Sequence, residues 1–525
     1  MSNIVKPPCD TGVIKAKRCS TSCSRTTERW VLVATILGSS MAMIDGTVVN
    51  LALPVLQESL NANSTQVQWV AESYALFLAA LILVGGSLGD RFGRRLIYAC
   101  GIALFALASG CCALSPNINQ LIVARAFQGV GGALLVPGSL AIISASFIDS
   151  ERGKAIGTWS GFTAITSAFG PILGGWLLEN LSWRWIFFIN VPFAIAILSI
   201  LFRYVPESRD REFTRLDYWG ATLATLGLGA TVFGLIESSA LGLFHPLAIG
   251  STVFGIIILG TFIFLEANIY SPMMPLSLFK SRTFLGTNLL TLLLYSALGG
   301  VFYFVPFNLI QIQGYSPMAA GAVFLPFILL MFFLSRWSGN LVNRYDAKLP
   351  LMIGPIIAAV GFILFAVPGI GGSYWMTFFP AILVLGLGMS VSVAPLTTTV
   401  MGSVRKRQVG VASGVNNAVS RTAGLLAIAI FNIIVFNAFN SSLDRRLAKL
   451  DVPSQVMQAL AEERINLAAA KVPDNISNEL TNAIEKAIAL SYIDSFRLIM
   501  FIAAAASVAS AVVALLTINK RQKIM

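Results

Sequence analysis

The sequence predicts an all-α polytopic membrane protein with fourteen transmembrane helices, on three observations. First, 56% of the 525 residues are hydrophobic and 11% charged, more apolar side chain than a globular core can hide beneath a polar surface. Second, the apolar residues form fourteen continuous runs of about 17 to 28 residues, and about 20 suffice for a helix to cross a hydrocarbon layer of about 30 Å. Third, lysine and arginine concentrate in alternate connections, the asymmetry that sets topology. Continuous runs exclude a spanning β-barrel, whose strands alternate polar and apolar side chains.

The polar tail 1–29 carries Lys6, Lys15, Lys17, Arg18, Arg25 and Arg29 and is expected in the cytoplasm. A full-length span at 30–53 follows it, so helix 1 reads as an anchor and not as a cleavable signal. The next spans are 69–89, 95–115, 119–145, 154–178 and 185–203, with Arg91, Arg94, Arg95, Arg152 and Lys154 in inner turns and Arg184 alone in the outer ones. The linker 204–283 opens with Arg209, Arg211 and Arg215, and holds two further spans at 218–239 and 246–267. Five more follow at 284–309, 319–341, 350–368, 375–401 and 410–437, with Lys280, Arg282, Arg344, Lys348 and Arg405 to Arg407 on the inner side. The last span, 496–517, leads into a cytoplasmic tail, 518–525, with Lys520, Arg521 and Lys523. The net charge of +12 is therefore mostly a topological signal; no nucleic-acid partner is expected.

Between spans 13 and 14 lies an outer segment, 438–495. Ile476, Leu480, Ile484 and Ile488 recur there every four residues, one face of an amphipathic helix opening after Pro473. A second helix after Pro453, with Val456, Met457, Leu460 and Ala461, is expected to pair with it. Three readings stand: a cap on a cavity, a docking place for a periplasmic adaptor protein if the organism has an outer membrane, or an inert outer domain.

An internal repeat organises the whole. At an offset of 253 residues, "GSLGDRFGRR" from Gly86 falls on "GNLVNRYDAK" from Gly339, and "RGKAIGTWSG" from Arg152 falls on "RKRQVGVASG" from Arg405. Helix 2 corresponds to helix 10 and helix 5 to helix 13, so 30–203 and 284–517 are two six-helix halves and helices 7 and 8 are inserted between them.

Parallel six-helix repeats are how major facilitator transporters are built, and four motifs make the resemblance specific. They are "DGTVVNLALP" from Asp45, "GGSLGDRFGRRL" from Gly85, "RAFQGVGG" from Arg125 and "GPILGG" from Gly170, supported by "WRWIFFINVPFA" before helix 6. Together they resemble the fourteen-helix drug:proton antiporter family of the major facilitator superfamily, over roughly residues 29 to 520. The resemblance implies the major facilitator fold, and export of amphiphilic drugs or organic cations in exchange for protons by alternating access, in the plasma (inner) membrane.

The motifs also have a physical reading. In the helix 2–3 turn, Gly86, Gly89 and Gly93 allow close approach and a sharp reversal, while Arg91, Arg94 and Arg95 hold the turn inside. Asp90 suits the N-terminal end of a neighbouring helix; the resemblance implies a conformational latch there, with Asn343 in its place in the second repeat. Gly170, Pro171, Gly174 and Gly175 form a bend and a close helix contact, which the resemblance marks as an antiporter contact between halves.

Charges within the bilayer are functional candidates. Asp45 lies about 12 Å and Arg125 about 9 Å below the outer ends of their helices, at one depth. The resemblance carries proton coupling onto Asp45 and a coupling or structural role onto Arg125; a static ion pair fastening two helices is the other reading. Glu72, at the outer end of helix 2, is either a second titrating group or a solvated helix end. Arg421, about 16 Å into helix 13, either counters Asp45 or holds an anionic substrate.

No cofactor and no metal site are expected. Cys9, Cys19 and Cys23 have irregular spacing and read as reduced thiols, His245 is a loop residue, and no GxxxxGK[ST] phosphate loop or nucleophile constellation points to an enzyme. Two other functions stand beside drug export: export of a specific metabolite or lipid-like compound, and a non-transporting receptor or scaffold on a transporter fold.

Overall fold

The computed structural model describes residues 25–147, 149–209, 217–242, 244–269, 272–404, 408–450, 452–473 and 476–518. Cys9, Cys19, Cys23, Arg211, Arg215 and Arg405 to Arg407 lie outside them. Among the described residues there is no strand. The helices run α1 (Arg25–Ser59), α2 (Ser64–Phe92), α3 (Arg94–Leu114), α4 (Ile118–Ser146), α5 (Asp149–Asn180) and α6 (Trp185–Tyr204). After them come α7 (Tyr218–Leu241), α8 (Pro246–Asn268), α9 (Arg282–Phe307), and α10, bent at Phe324 into Pro317–Val323 and Leu325–Tyr345. The chain finishes with α11 (Lys348–Phe365), α12 (Phe378–Gly402), α13 (Val409–Leu447) and α14 (Asn478–Thr517). Among the described residues, 13 helices are long and apolar enough to cross a membrane; α5, 32 residues long, stands where the fifth span is expected.

Local chemistry sets many of the helix starts. Asn63 opens α2 with a reciprocal cap: its side chain accepts from Gln66 N at 2.8 Å, and Gln66 Oε1 accepts from Asn63 N at 3.1 Å, satisfying two donors that a helix start leaves free. Asp217 caps α7, Ser281 caps α9 and Ser477 caps α14. His245, expected to be a plain loop residue, caps α8 by accepting from Leu247 N at 3.3 Å.

The first half is α1–α6 and the second α9–α14. They meet along two seams, α2 on α13 and α5 on α10. Of the inserted helices, α7 covers the first seam: Leu228, Val232 and Ile236 pack with Leu76 and Ala80 of α2 and with Leu425 and Ala429 of α13. α8 pairs with α7 and turns Ile249, Val253, Phe254, Ile257 and Phe264 outward, an apolar face suited to lipid.

The two ends of the bundle differ. At one, the basic end, Trp30 stacks on Tyr204 and the α2–α3 turn meets 205–208. At the other, the cap end, Gln57, Gln311 and Asn466 come together. The segment expected as a separate outer piece, 438–495, is shorter than its sequence implies. α13 continues to Leu447 and α14 begins at Asn478, because Phe439, Leu443 and Leu447 bury in one cluster with Ile484, Ile488 and Tyr492, so the amphipathic helix and the last span are one rod. Between them, Ser454–Glu463 forms a short helix whose Val456 and Leu460 join that cluster, and 464–469 lies against α2, α13 and α14.

Candidate functional site

Three of the sequence motifs and α3 converge on one buried site. Asp45 of α1 and Arg125 of α4 are fully buried, and Arg125 Nη1 donates to Asp45 Oδ2 at 2.6 Å. Gln128, one turn along α4, donates through Nε2 to Asp45 Oδ1 at 2.7 Å and to Ser109 Oγ at 2.8 Å, while its Oε1 accepts from Arg125 Nη1 at 2.6 Å. Asn190 of α6 donates to Asp45 Oδ1 and to Ser109 Oγ, both at 3.2 Å. Arg125 also donates through Nε to Val70 O at 3.2 Å, and its guanidinium lies 4.2 Å from the Tyr74 ring centroid, a cation–π distance.

Asp45 thus receives three donors, from Arg125, Gln128 and Asn190, on two helices other than its own, and such charge-assisted bonds are short and strong away from water. Every member has a partner, as a buried charged network requires. Gln128 and Asn190 were visible inside quoted motifs, yet nothing in the sequence aimed them at Asp45; Ser109 carries no sequence signal.

Arg421 is not part of this cage. It sits on α13, partly exposed, within electrostatic reach of Tyr74 of α2 and Tyr295 of α9, so Arg125 and not Arg421 counters Asp45. Glu72 is fully buried and is therefore no solvated helix end.

The α2–α3 turn is built around Gly93, whose φ of 122° is open to glycine and strained for side chains. A Cβ there would lie 2.7 Å from Glu207 Cδ. Glu207 Oε1 accepts from Arg95 N at 3.0 Å and Oε2 from Leu96 N at 3.1 Å, the favoured place for a carboxylate at a helix N-terminus. In this conformation that role belongs to Glu207, while Asp90 accepts from Arg94 Nε at 2.9 Å within its own turn. Arg91 lies exposed over Phe92, 5.2 Å from its centroid. The tight crossing of α2 and α4 occurs at Gly85, against the Ala133 carbonyl; Gly86 has ordinary clearance and Gly89 faces Arg94.

"GPILGG" is wedged between halves. Gly170 and Gly174 face Thr47 and Val48 of α1; a Cβ on either would lie 2.5 Å from a side-chain atom of those residues. Gly175 faces the other half, where a Cβ would lie 2.5 Å from Met318 Cα and 2.7 Å from Pro317 O. Pro171 lies there too, its carbonyl against Gly321 of α10. Across the other seam Asn432 donates to Gln68 Oε1, and near it Gln311, just after α9, donates to Gln57 Oε1 of α1 at 3.0 Å. The halves are joined at the cap end.

Two packed sets of helices, a caged ion pair in one of them and a glycine-lined seam between them are the layout of a polytopic membrane transporter. The model of the Major Facilitator Superfamily matches residues 35–428, and the chain belongs to that superfamily, whose members are transporters and not enzymes. It is 29% identical over 495 residues to the tetracenomycin C resistance and export protein of Streptomyces glaucescens, covering 93% of this chain and 91% of that one. It is 34% identical over 412 residues to the puromycin resistance protein pur8 of Streptomyces alboniger (77% and 81% covered), and 31% over 445 residues to the multidrug resistance protein Stp of Mycobacterium tuberculosis (84% and 81%). Among solved structures, a bacterial homologue of the human lysosomal transporter Spinster, inward-facing and unoccupied, superposes with a TM-score of 0.65 at 17% identity, over 94% of this chain and 98% of that one. That likeness concerns the fold.

Proposed function

We propose that this protein is a proton-coupled antiporter that exports amphiphilic drugs or organic cations across the plasma (inner) membrane by alternating access. The basic end, with both termini, faces the cytoplasm, and the cap end faces out. The observation that carries the reading is the Asp45 cage: an ionisable carboxylate within the bilayer whose three donors sit on two other helices, so that rearranging those helices changes its charge environment. Relatives named for resistance to tetracenomycin C, to puromycin and to several drugs support the substrate class.

In this mechanism the present conformation is the one shut on the outside. When the outer seams part, water reaches Asp45 and a proton from outside binds its carboxylate, which weakens the hold on Arg125. Closing the outer seams and opening the inner ones returns Arg125 and Gln128 to Asp45, and the proton leaves to the cytoplasm. The Asp90 latch belongs to the opposite, outward-open conformation, which is why Asp90 pairs with Arg94 here. The stretch 452–473 caps the outer end in this reading.

Inside-out vesicles containing the protein should accumulate drug when the proton gradient is imposed and lose it when a protonophore is added, with no ATP required. Accumulation that persists without any ion gradient would contradict proton coupling.

A further inference from the structure

On α2, Gln68, Glu72, Leu76, Ala80 and Leu83 recur at steps of four and three, a single stripe of the helix. The stripe faces α13: Gln68 accepts from Asn432, Leu76 and Ala80 pack with Leu425 and Ala429, and Leu83 lies against Gly414. Glu72 therefore sits inside the seam between the halves, one turn from the Gln68–Asn432 contact. It is 0% exposed, neither carboxyl oxygen meets a donor at full hydrogen-bond geometry, and the near donor is the neutral amide of Gln68. Gln68 and Asn432 border it from α2 and α13, Tyr303 of α9 lies within electrostatic reach, and α7 brings Val232 and Ile236 to the stripe. None of these groups is a cation. The contrast with Asp45 and its three donors is direct.

An unpaired carboxylate anion is strongly disfavoured in such a place, whereas the neutral acid is tolerated. The sealed seam thus accepts Glu72 with its proton on. A small cavity lined by Gln57, Gln311, Tyr303, Asn432 and Tyr492 lies beyond the Gln68–Asn432 contact toward the cap end, and parting α2 from α13 at that end would bring water to the carboxyl.

We propose that Glu72 is a second proton site, separate from Asp45, and that its protonation from the outer solution is the condition for the outer gate to close. The sign at this site follows: Glu72 carries its proton in the closed gate and not in the open one, so its titration favours closure in acid and favours it less as pH rises. The inference rests on the antiport reading for the direction of the proton gradient only.

The test uses purified protein in lipid nanodiscs, free of native cysteines, with spin labels at Ser59 and Ser441, exposed positions near the outer ends of α1 and α13. Their distance distribution is followed across a pH series. In the parent protein the short-distance population should grow as pH falls. In Glu72→Gln it should be large from the start and no longer grow as pH falls, and in Glu72→Asp it should still grow. Glu72→Met, neutral and suited to an apolar seam, should match Glu72→Gln, so the result does not depend on one variant folding. Asp45→Asn should keep the titration. A Glu72→Gln or Glu72→Met protein that opens and closes with pH like the parent overturns the proposal. Titration that depends on Glu72 in a protein lacking drug-induced proton release would uphold the gate and sink the antiport reading instead.

Discussion

Asp45→Asn is expected to abolish drug export against a gradient and to destabilise the protein by about 3–5 kcal/mol, because it leaves Arg125 as a buried cation without its counter-charge. The stability loss and the transport loss have different causes, and a second substitution separates them. Asp45→Asn combined with Arg125→Gln removes both charges and leaves neutral groups that can hydrogen-bond to Gln128, Asn190 and Ser109, so most of the stability should return. Export should not return, since no group in the cage can then carry a proton. If the ion pair only fastened α1 to α4, the double variant would recover export together with stability. Thermal unfolding in detergent and drug accumulation in energised vesicles, measured on the same preparations, decide between the two.

The second large effect is at Gly175. A single added methyl would lie 2.5 Å from Met318 Cα, closer than side-chain carbons approach backbone, so Gly175→Val should push α5 from α10 at the outer end. Overpacking of this kind costs about 1–3 kcal/mol, and the cost falls on the closed seam alone. Since 1.4 kcal/mol is a factor of about ten in an equilibrium constant, the ratio of outward-closed to outward-open protein should fall about tenfold, and turnover should fall with it. Gly157→Ala, also in α5 but with open space around it, should transport normally. Equal transport by both variants would mean that the α5–α10 seam does not govern closure.

The spans were legible in the sequence because hydrophobic length and charge asymmetry are properties of the chain itself. The site was legible only in part. The motifs holding Asp45, Arg125, Gln128 and Asn190 stood out, and helix rise placed Asp45 and Arg125 at one depth. Which faces meet is decided by packing between helices far apart in sequence, so Gln128, Asn190 and Ser109 could not be aimed at Asp45. Depth likewise left Arg421 as a candidate partner until the structure filled the Asp45 cage with Arg125, Gln128 and Asn190. The carboxylate at a helix N-terminus was the right device for the α2–α3 turn, yet Glu207 supplies it from 112 residues beyond Arg95, a distance that no local pattern spans. The apolar stripe after Pro473 was visible as well. Its polar opposite face hid that it continues without a break into the last membrane helix.

The account turns on Asp45 as the group that binds and releases the transported proton. The direct measurement is proton release from purified, weakly buffered protein on adding drug, compared between the parent chain, Asp45→Asn with Arg125→Gln, and Glu72→Gln. The account predicts release from the parent and from Glu72→Gln, and none from the Asp45 double variant while it still binds drug. Release of the parent's full proton count from the folded double variant would contradict it and move the transported proton to another group.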